Sequence, residues 1–183
     1  MCESSSVIYS QVSEHQSSPL ILRQASIEEN EQIQDVILSS FFEYSAVLPE
    51  EGWDDYKSNI IEAVNNSPIA YRIVAEYEGE IVGSLFLYRS GLDAYGSDEL
   101  EINDPVVRLL AVTPKARGLG VGKKLISYSI ELAKQQGANA VYLHTSDMMN
   151  RAVAIYEQLG FERAYEKEYE KGTIFVKSYK YIL

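Results

Sequence analysis

The chain has 183 residues, a length that suits one domain able to bury about 70% of the surface of its unfolded form. Sixteen Lys and Arg against 27 Asp and Glu give a formal charge of −11, which argues against a nucleic-acid or anionic-membrane surface and suits a cationic or amine-bearing partner. A single cysteine, Cys2, excludes an internal disulfide, and with only His15 and His144 beside it no metal-ligand cluster forms; no metal and a reducing cytoplasm are expected.

Residues 1–18 carry seven serines and no basic stretch leading into an apolar one, so neither a signal peptide nor a membrane span is read there. A disordered arm is expected, with a short edge strand at Val7, Ile8 and Tyr9 as the alternative, and residues 19–183 are expected to form the domain. "LILRQAS" (20–26) reads as a strand, and Ser26 with Glu29 makes a capping box that opens a helix to about Ser40. Trp53, Tyr56, Ile60, Ile61 and Val64 recur at helical steps, predicting a second helix over 50–65 that Asn65, Asn66 and Pro68 stop. Apolar and polar residues then alternate on both sides of Glu78-Gly79, the pattern of a hairpin.

The polar, acidic stretch from Gly91 to Asp104 reads as a loop, and "VVRLLAV" (106–112) as a strand buried within a sheet. A helix follows from about Gly120 to Gln136, with Val121, Leu125, Tyr128, Leu132 and Ala133 on one face. "NAVYLHT" (139–145) is a further strand, Asn150 to Leu159 a short helix ended by Gly160, and two strands flank Lys171-Gly172. The order β-α-α-β-β-β-α-β-α-β-β predicts an α/β domain with one mixed sheet covered by helices.

Gly118, Gly120 and Gly122 stand on alternate residues where the fourth of these strands gives way to a helix. The first amides of a helix lack internal partners and its dipole is positive there, so a glycine-rich entry makes a phosphate site. The phosphate-loop motif would need glycine at Arg117 and Ser or Thr at Lys124; the dinucleotide fingerprint would need glycine at Lys123 and an acid where the chain has Leu143-His144-Thr145. Both fail.

Arg117-x-x-Gly120-x-Gly122 after a buried strand resembles the acyl-CoA pyrophosphate loop of the GNAT N-acetyltransferase superfamily. "RLLAVTPKARGLGVGKKLI" looks like that family's signature strand, loop and helix, and "NRAVAIYEQLGFE" like its second motif, so the resemblance spans about residues 20–183 and implies a GNAT-like fold with acetyl-CoA as cosubstrate. It implies that the backbone of Leu110, Ala111 and Val112 meets the pantetheine arm, with an amide there, Val112 first, stabilising the oxyanion. It further implies that Arg117, Gly118, Leu119, Gly120, Val121, Gly122 and Lys123 hold the pyrophosphate.

By the same resemblance Asn150 binds pantetheine and Tyr156 is the general acid that protonates the departing thiolate. By residue type alone Asn150 is a helix N-cap and Tyr156 a core tyrosine, and those readings stay open. Many relatives place a basic glutamate where this chain has Val106; Glu101 is the candidate base, with Glu99, Asp104 and His144 as others. The aromatics from Phe41 to Trp53 would by resemblance line an acceptor pocket, or else serve as core or a dimer contact.

The expected function is direct transfer of an acetyl group to a primary amine of a small molecule or peptide within a ternary complex. The alternative is a non-catalytic acyl-CoA-binding module of the same fold. No nucleic acid and no membrane partner are expected, and the protein is expected to be a monomer or a homodimer.

Overall fold

The structure, a computed structural model, describes residues 7–9, 19–46 and 50–183. In chain order its regular elements are β1 (Val7–Tyr9), β2 (Leu20–Gln24), α1 (Asn30–Phe41), α2 (Glu50–Asn66), β3 (Tyr71–Tyr77), β4 (Glu80–Tyr88) and α3 (Gly91–Tyr95). They continue with β5 (Val106–Val112), α4 (Val121–Gln135), β6 (Ala140–Ser146), α5 (Asn150–Gln158), β7 (Glu162–Arg163), β8 (Tyr169–Lys171) and β9 (Ile174–Ile182). The class is the expected α/β one with a mixed sheet: β2 and β3 pair antiparallel, as do β6 and β9, while β5 and β6 pair parallel.

The chain forms two compact units and passes between them on either side of Pro68–Ala70 and within β4, β5 and α4. The first takes in the residues to Ser67, then Tyr71–Phe86 and Leu109–Leu125. Here the capping box forms as read: the Glu29 carboxylate accepts the Ser26 N–H at 2.8 Å and receives Arg23 at 2.7 Å. A 3-10 turn at Ile27–Glu29 leads into α1, which buries Ile33, Val36, Ile37 and Phe41. On α2, Ile60 and Val64 are buried as the helical spacing predicts, but Ile61 is 40% exposed, because its step of one residue from Ile60 carries it off the buried stripe. β1 pairs with β2 through Val7↔Leu22 to Tyr9↔Leu20, the edge-strand alternative for part of the arm; the rest of residues 1–18 lies outside the described residues.

The second unit holds Pro68–Ala70, Leu87–Arg108 and Ile126–Leu183. Its centre is the long antiparallel ladder of β6 with β9, from Ala140↔Ile182 to Ser146↔Val176, with β7 and β8 also paired to β9. Leu143, Val141, Phe161, Tyr179 and Ile126 are buried in it. The predicted loop after β4 is partly helical. Ser90 Oγ accepts the Asp93 N–H at 3.3 Å as N-cap and Gly96 closes α3 in the left-handed conformation, a cap pair that the polar composition masked. Gly91 N–H to Ile102 O at 2.8 Å ties the rest of that segment back.

Candidate active site

In the first unit, β5 ends at Val112, and the next residue, Thr113, donates its N–H to Val82 O at 2.9 Å. A 3-10 turn at Pro114–Ala116 then leads to the glycine loop. Gly118 and Gly120 lie at φ 84° and 72°, which side-chain-bearing residues rarely adopt, and a Cβ at either would meet nothing within 4 Å. These glycines therefore serve the backbone path and the open space above it, not a tight contact within the protein. The first bond of α4 is Lys124 N–H to Gly120 O at 3.1 Å, so the amides from Gly120 to Lys123 precede any intrahelical partner. Leu119 and Lys123 are exposed, while Val121 and Gly122 are buried. The residues fit an anionic ligand approaching the backbone.

Two donors of the predicted cofactor set are engaged by the end of α1 and the turn after it. Val112 N–H donates to Ser40 Oγ at 3.3 Å. Arg117 donates to the Glu43 carboxylate at 3.0 and 3.2 Å and to Ser40 O at 3.3 Å. Upstream on β5, Leu109 sits at φ 52°, a left-handed residue inside a strand, which diverts the backbone in the manner of a bulge. Leu110 is half-buried and Ala111 buried. The aromatics of this unit stack on one another: Phe41 against Tyr56 at 6.0 Å and Phe42 against Trp53 at 5.9 Å, with Phe42 63% exposed. Val47, Leu48 and Pro49 of that predicted stretch lie outside the described residues.

In the second unit, Asn150 is the first residue of α5, exposed and helical at φ −55°; Met149 is the N-cap, so the capping reading of Asn150 is corrected. The 3-10 turn at Asp147–Met149 runs straight into the helix and moves the cap one residue back. Tyr156 is 6% exposed and lies 6.0 Å from the Phe161 ring and 6.2 Å from Tyr179. Glu101 is exposed at φ 47°, and its carbonyl accepts from Lys167 Nζ at 3.4 Å. Asp104 is tied to the start of β6, its Oδ1 accepting the Asn139 and Ala140 N–H groups at 2.9 and 3.3 Å. Glu99 is exposed on the loop.

His144 belongs to a polar and aromatic cluster. Its Nδ1 is 2.6 Å from Tyr95 Oη and its Nε2 is 3.3 Å from Lys167 O. A carbonyl can only accept, so Nε2 carries the hydrogen and Nδ1 accepts from the phenol. Burial, and the Arg108 charge after it, push the imidazole down to about 4, so it is neutral at pH 7. Burial likewise pushes the Tyr95 phenol up. The Arg108 guanidinium lies over the Tyr95 ring at 5.0 Å and the Tyr88 ring at 5.7 Å and donates to Ala94 O. Tyr169 stacks on His144 at 5.7 Å.

The sequence reading passed over Arg108, Tyr88, Tyr95 and Tyr169, and over Ser40 and Glu43. For Arg108 a signal existed, since one charge inside "VVRLLAV" must find partners if that strand is buried. Ser40 and Glu43 carry no such local mark.

A family model described as the acetyltransferase (GNAT) family matches residues 31–161. The uncharacterised N-acetyltransferase YjgM of Escherichia coli (strain K12) is 31% identical over 144 residues, 78% of this chain and 81% of that protein. Among solved structures, the PaiA N-acetyltransferase of Thermoplasma acidophilum in complex with coenzyme A aligns with a TM-score of 0.63 at 18% identity, covering 88% of this chain and 99% of that one. A GNAT-family acetyltransferase from Staphylococcus aureus Mu50 aligns at 0.66 and 20% identity over 90% of this chain and 99% of its own. At such identities the structural likeness is one of fold.

Proposed function

The chain belongs to the GNAT acetyltransferase family, and from that membership we propose that it transfers an acetyl group from acetyl-CoA to a primary amine by direct attack within a ternary complex. The observation that carries the reading is the loop at Gly118 and Gly120, left-handed, open above the backbone and followed by a helix start. Such a set of amides, with about half a positive charge from the helix dipole, suits a pyrophosphate. Arg117 would add charge by turning from Glu43 or by bridging both anions.

In the proposed reaction the amine lone pair attacks the thioester carbonyl carbon, and the carbonyl oxygen takes up negative charge. Val112 N–H would receive that oxygen, sharing or exchanging the place that Ser40 Oγ now takes. As the C–S bond breaks, Tyr156 would give its phenol proton to the departing CoA thiolate, and Asn150 would hold the pantetheine arm. An alkylammonium of pKa about 10 must first lose a proton, and the exposed Glu101 carboxylate is the base proposed to take it, through water; the nitrogen's second proton leaves to solvent as the intermediate collapses to the amide. A second reading, acyl-CoA binding without turnover, draws on Val106, an apolar buried residue where many relatives carry the base.

Calorimetric titration of acetyl-CoA into the full chain tests the first step. Micromolar affinity, weakened at least about 100-fold in Gly120→Glu by strain at positive φ and by charge repulsion, is the expected result; equal affinity in both would end the loop assignment. With binding in place, Tyr156→Phe should lower kcat by about 100-fold or more. Acetyl-CoA hydrolysis without acceptor no faster than in buffer, with no amine acetylated, would leave the binding module as the reading.

A further inference from the structure

Arg108 is a half-buried cation on β5, and no carboxylate pairs with it among the described residues. Of its five N–H groups one is directed to Ala94 O. Two tyrosine rings line it at 5.0 and 5.7 Å, which offsets part of the cost of desolvating the charge but supplies no acceptor for the remaining N–H groups. The other cations near the cluster are committed: Arg163 to Glu168, and Lys167 to the Glu101 carbonyl. His144 adds no charge. The cluster therefore presents one planar positive group, matched to one planar monoanion.

The frame behind the guanidinium is fixed. Lys167 O orients His144, His144 accepts from Tyr95, and the Tyr95 ring stands edge-on to the imidazole at 84° while it lies against Arg108. Tyr95 and His144 are positioning residues, since they act through Arg108. Arg108 lies on the same strand as Leu110, the first of the residues assigned to pantetheine, with Leu109 between them in sequence.

We infer that Arg108 recognises the carboxylate of the acceptor, and that the acceptor class is a small α-amino acid-like zwitterion whose amine is acetylated. This inference rests on the acetyl-transfer reading above. A zwitterion also suits a chain of net charge −11, which would repel a simple anion but not a ligand of no net charge.

The test is calorimetry on the full chain saturated with CoA, using the twenty common L-α-amino acids and their α-carboxamides as probes. At least one acid should bind about 10- to 100-fold more tightly than its amide, as expected for a charge-assisted bidentate pair. Arg108→Gln should erase that preference while acetyl-CoA affinity stays within about threefold, and Arg108→Lys, which keeps the charge but not the fork, should retain only part of it. The lysine variant decides the matter if the glutamine variant does not fold. Equal binding of acid and amide, a preference that survives Arg108→Gln, or binding of acetyl-CoA but of no amino acid would overturn the inference and leave acetyl transfer standing. Failure of acetyl-CoA to bind would remove the transfer reading instead, and the same probes titrated into the free protein would still decide whether Arg108 holds a carboxylate.

Discussion

In the loop from Arg117 to Lys123 two left-handed glycines set the path of the backbone, and the whole loop lies within seven consecutive residues. The cluster around Arg108 uses side chains from β4, α3, β5, β6 and β8, brought from Tyr88 to Tyr169. The first region is specified by local conformation; the second exists only if every contributing strand keeps its register. A backbone device is thus sensitive to changes in φ, and a side-chain device to burial and charge.

Acid should separate the two most clearly. The unfolded chain protonates His144 near pH 6.5, the folded chain only near 4, because burial, and the Arg108 charge with it, disfavour the imidazolium, while the hydrogen bond to Lys167 O and the Glu168 charge oppose the shift only in part. Between those values protons bind the unfolded state better, so stability falls as pH drops from about 6.5 to about 4 and is unaffected by this group above it, by up to about 3 kcal/mol in all. Urea unfolding of the wild type and His144→Gln at pH 7 and pH 4.5 reads it: the gap between the two proteins should narrow in acid. A pH-independent gap would mean that the cluster does not hold a neutral histidine.

Next in size is the packing that seats the helix after the loop. Gly83 on β4 is buried, and a Cβ there would meet Val121 Cγ1 at 2.7 Å, Leu125 Cδ1 at 3.0 Å and the Ala111 carbonyl at 3.2 Å. Val121 is β-branched and cannot swing aside, so Gly83→Ala should cost about 2 kcal/mol in denaturant unfolding and weaken acetyl-CoA binding by shifting the helix start. Unchanged cofactor affinity at that loss of stability would show that the loop holds its shape without its helix, which sharpens the contrast.

The smallest effect is expected at the exposed pair Arg117–Glu43, where Glu43→Gln should change stability by less than about 1 kcal/mol, measured as melting temperature. Should the same substitution abolish acetyl-CoA binding, the loop would depend on a side-chain clamp and the contrast with the Arg108 cluster would fail.

The capping box at Ser26 and Glu29, the turn at Glu78-Gly79 and the glycine entry to α4 were legible because each is a property of neighbouring residues: a side chain that reaches its own backbone, or a φ that only glycine adopts freely. Family membership was legible for the same reason, since both motifs are contiguous stretches. Errors arose where one residue's shift mattered, as at Asn150, displaced from the cap by a 3-10 turn, or where short caps hid in polar composition, as at Ser90 and Gly96.

The sequence by itself determined the order of the longer elements, α3 and β7 apart, and the place of the glycine loop, because hydrophobic period and glycine content act over a few residues. Only the tertiary structure decided that Ser40 and Glu43 take up Val112 and Arg117, that Asp104 is tied to the start of β6, and that Tyr95, His144 and Arg108 form one cluster. Apart from Tyr95 and Arg108, which are nearer in sequence, the hydrogen-bonded partners lie between 35 and 74 residues apart along the chain, and their meeting depends on strand register and burial, which no local pattern encodes.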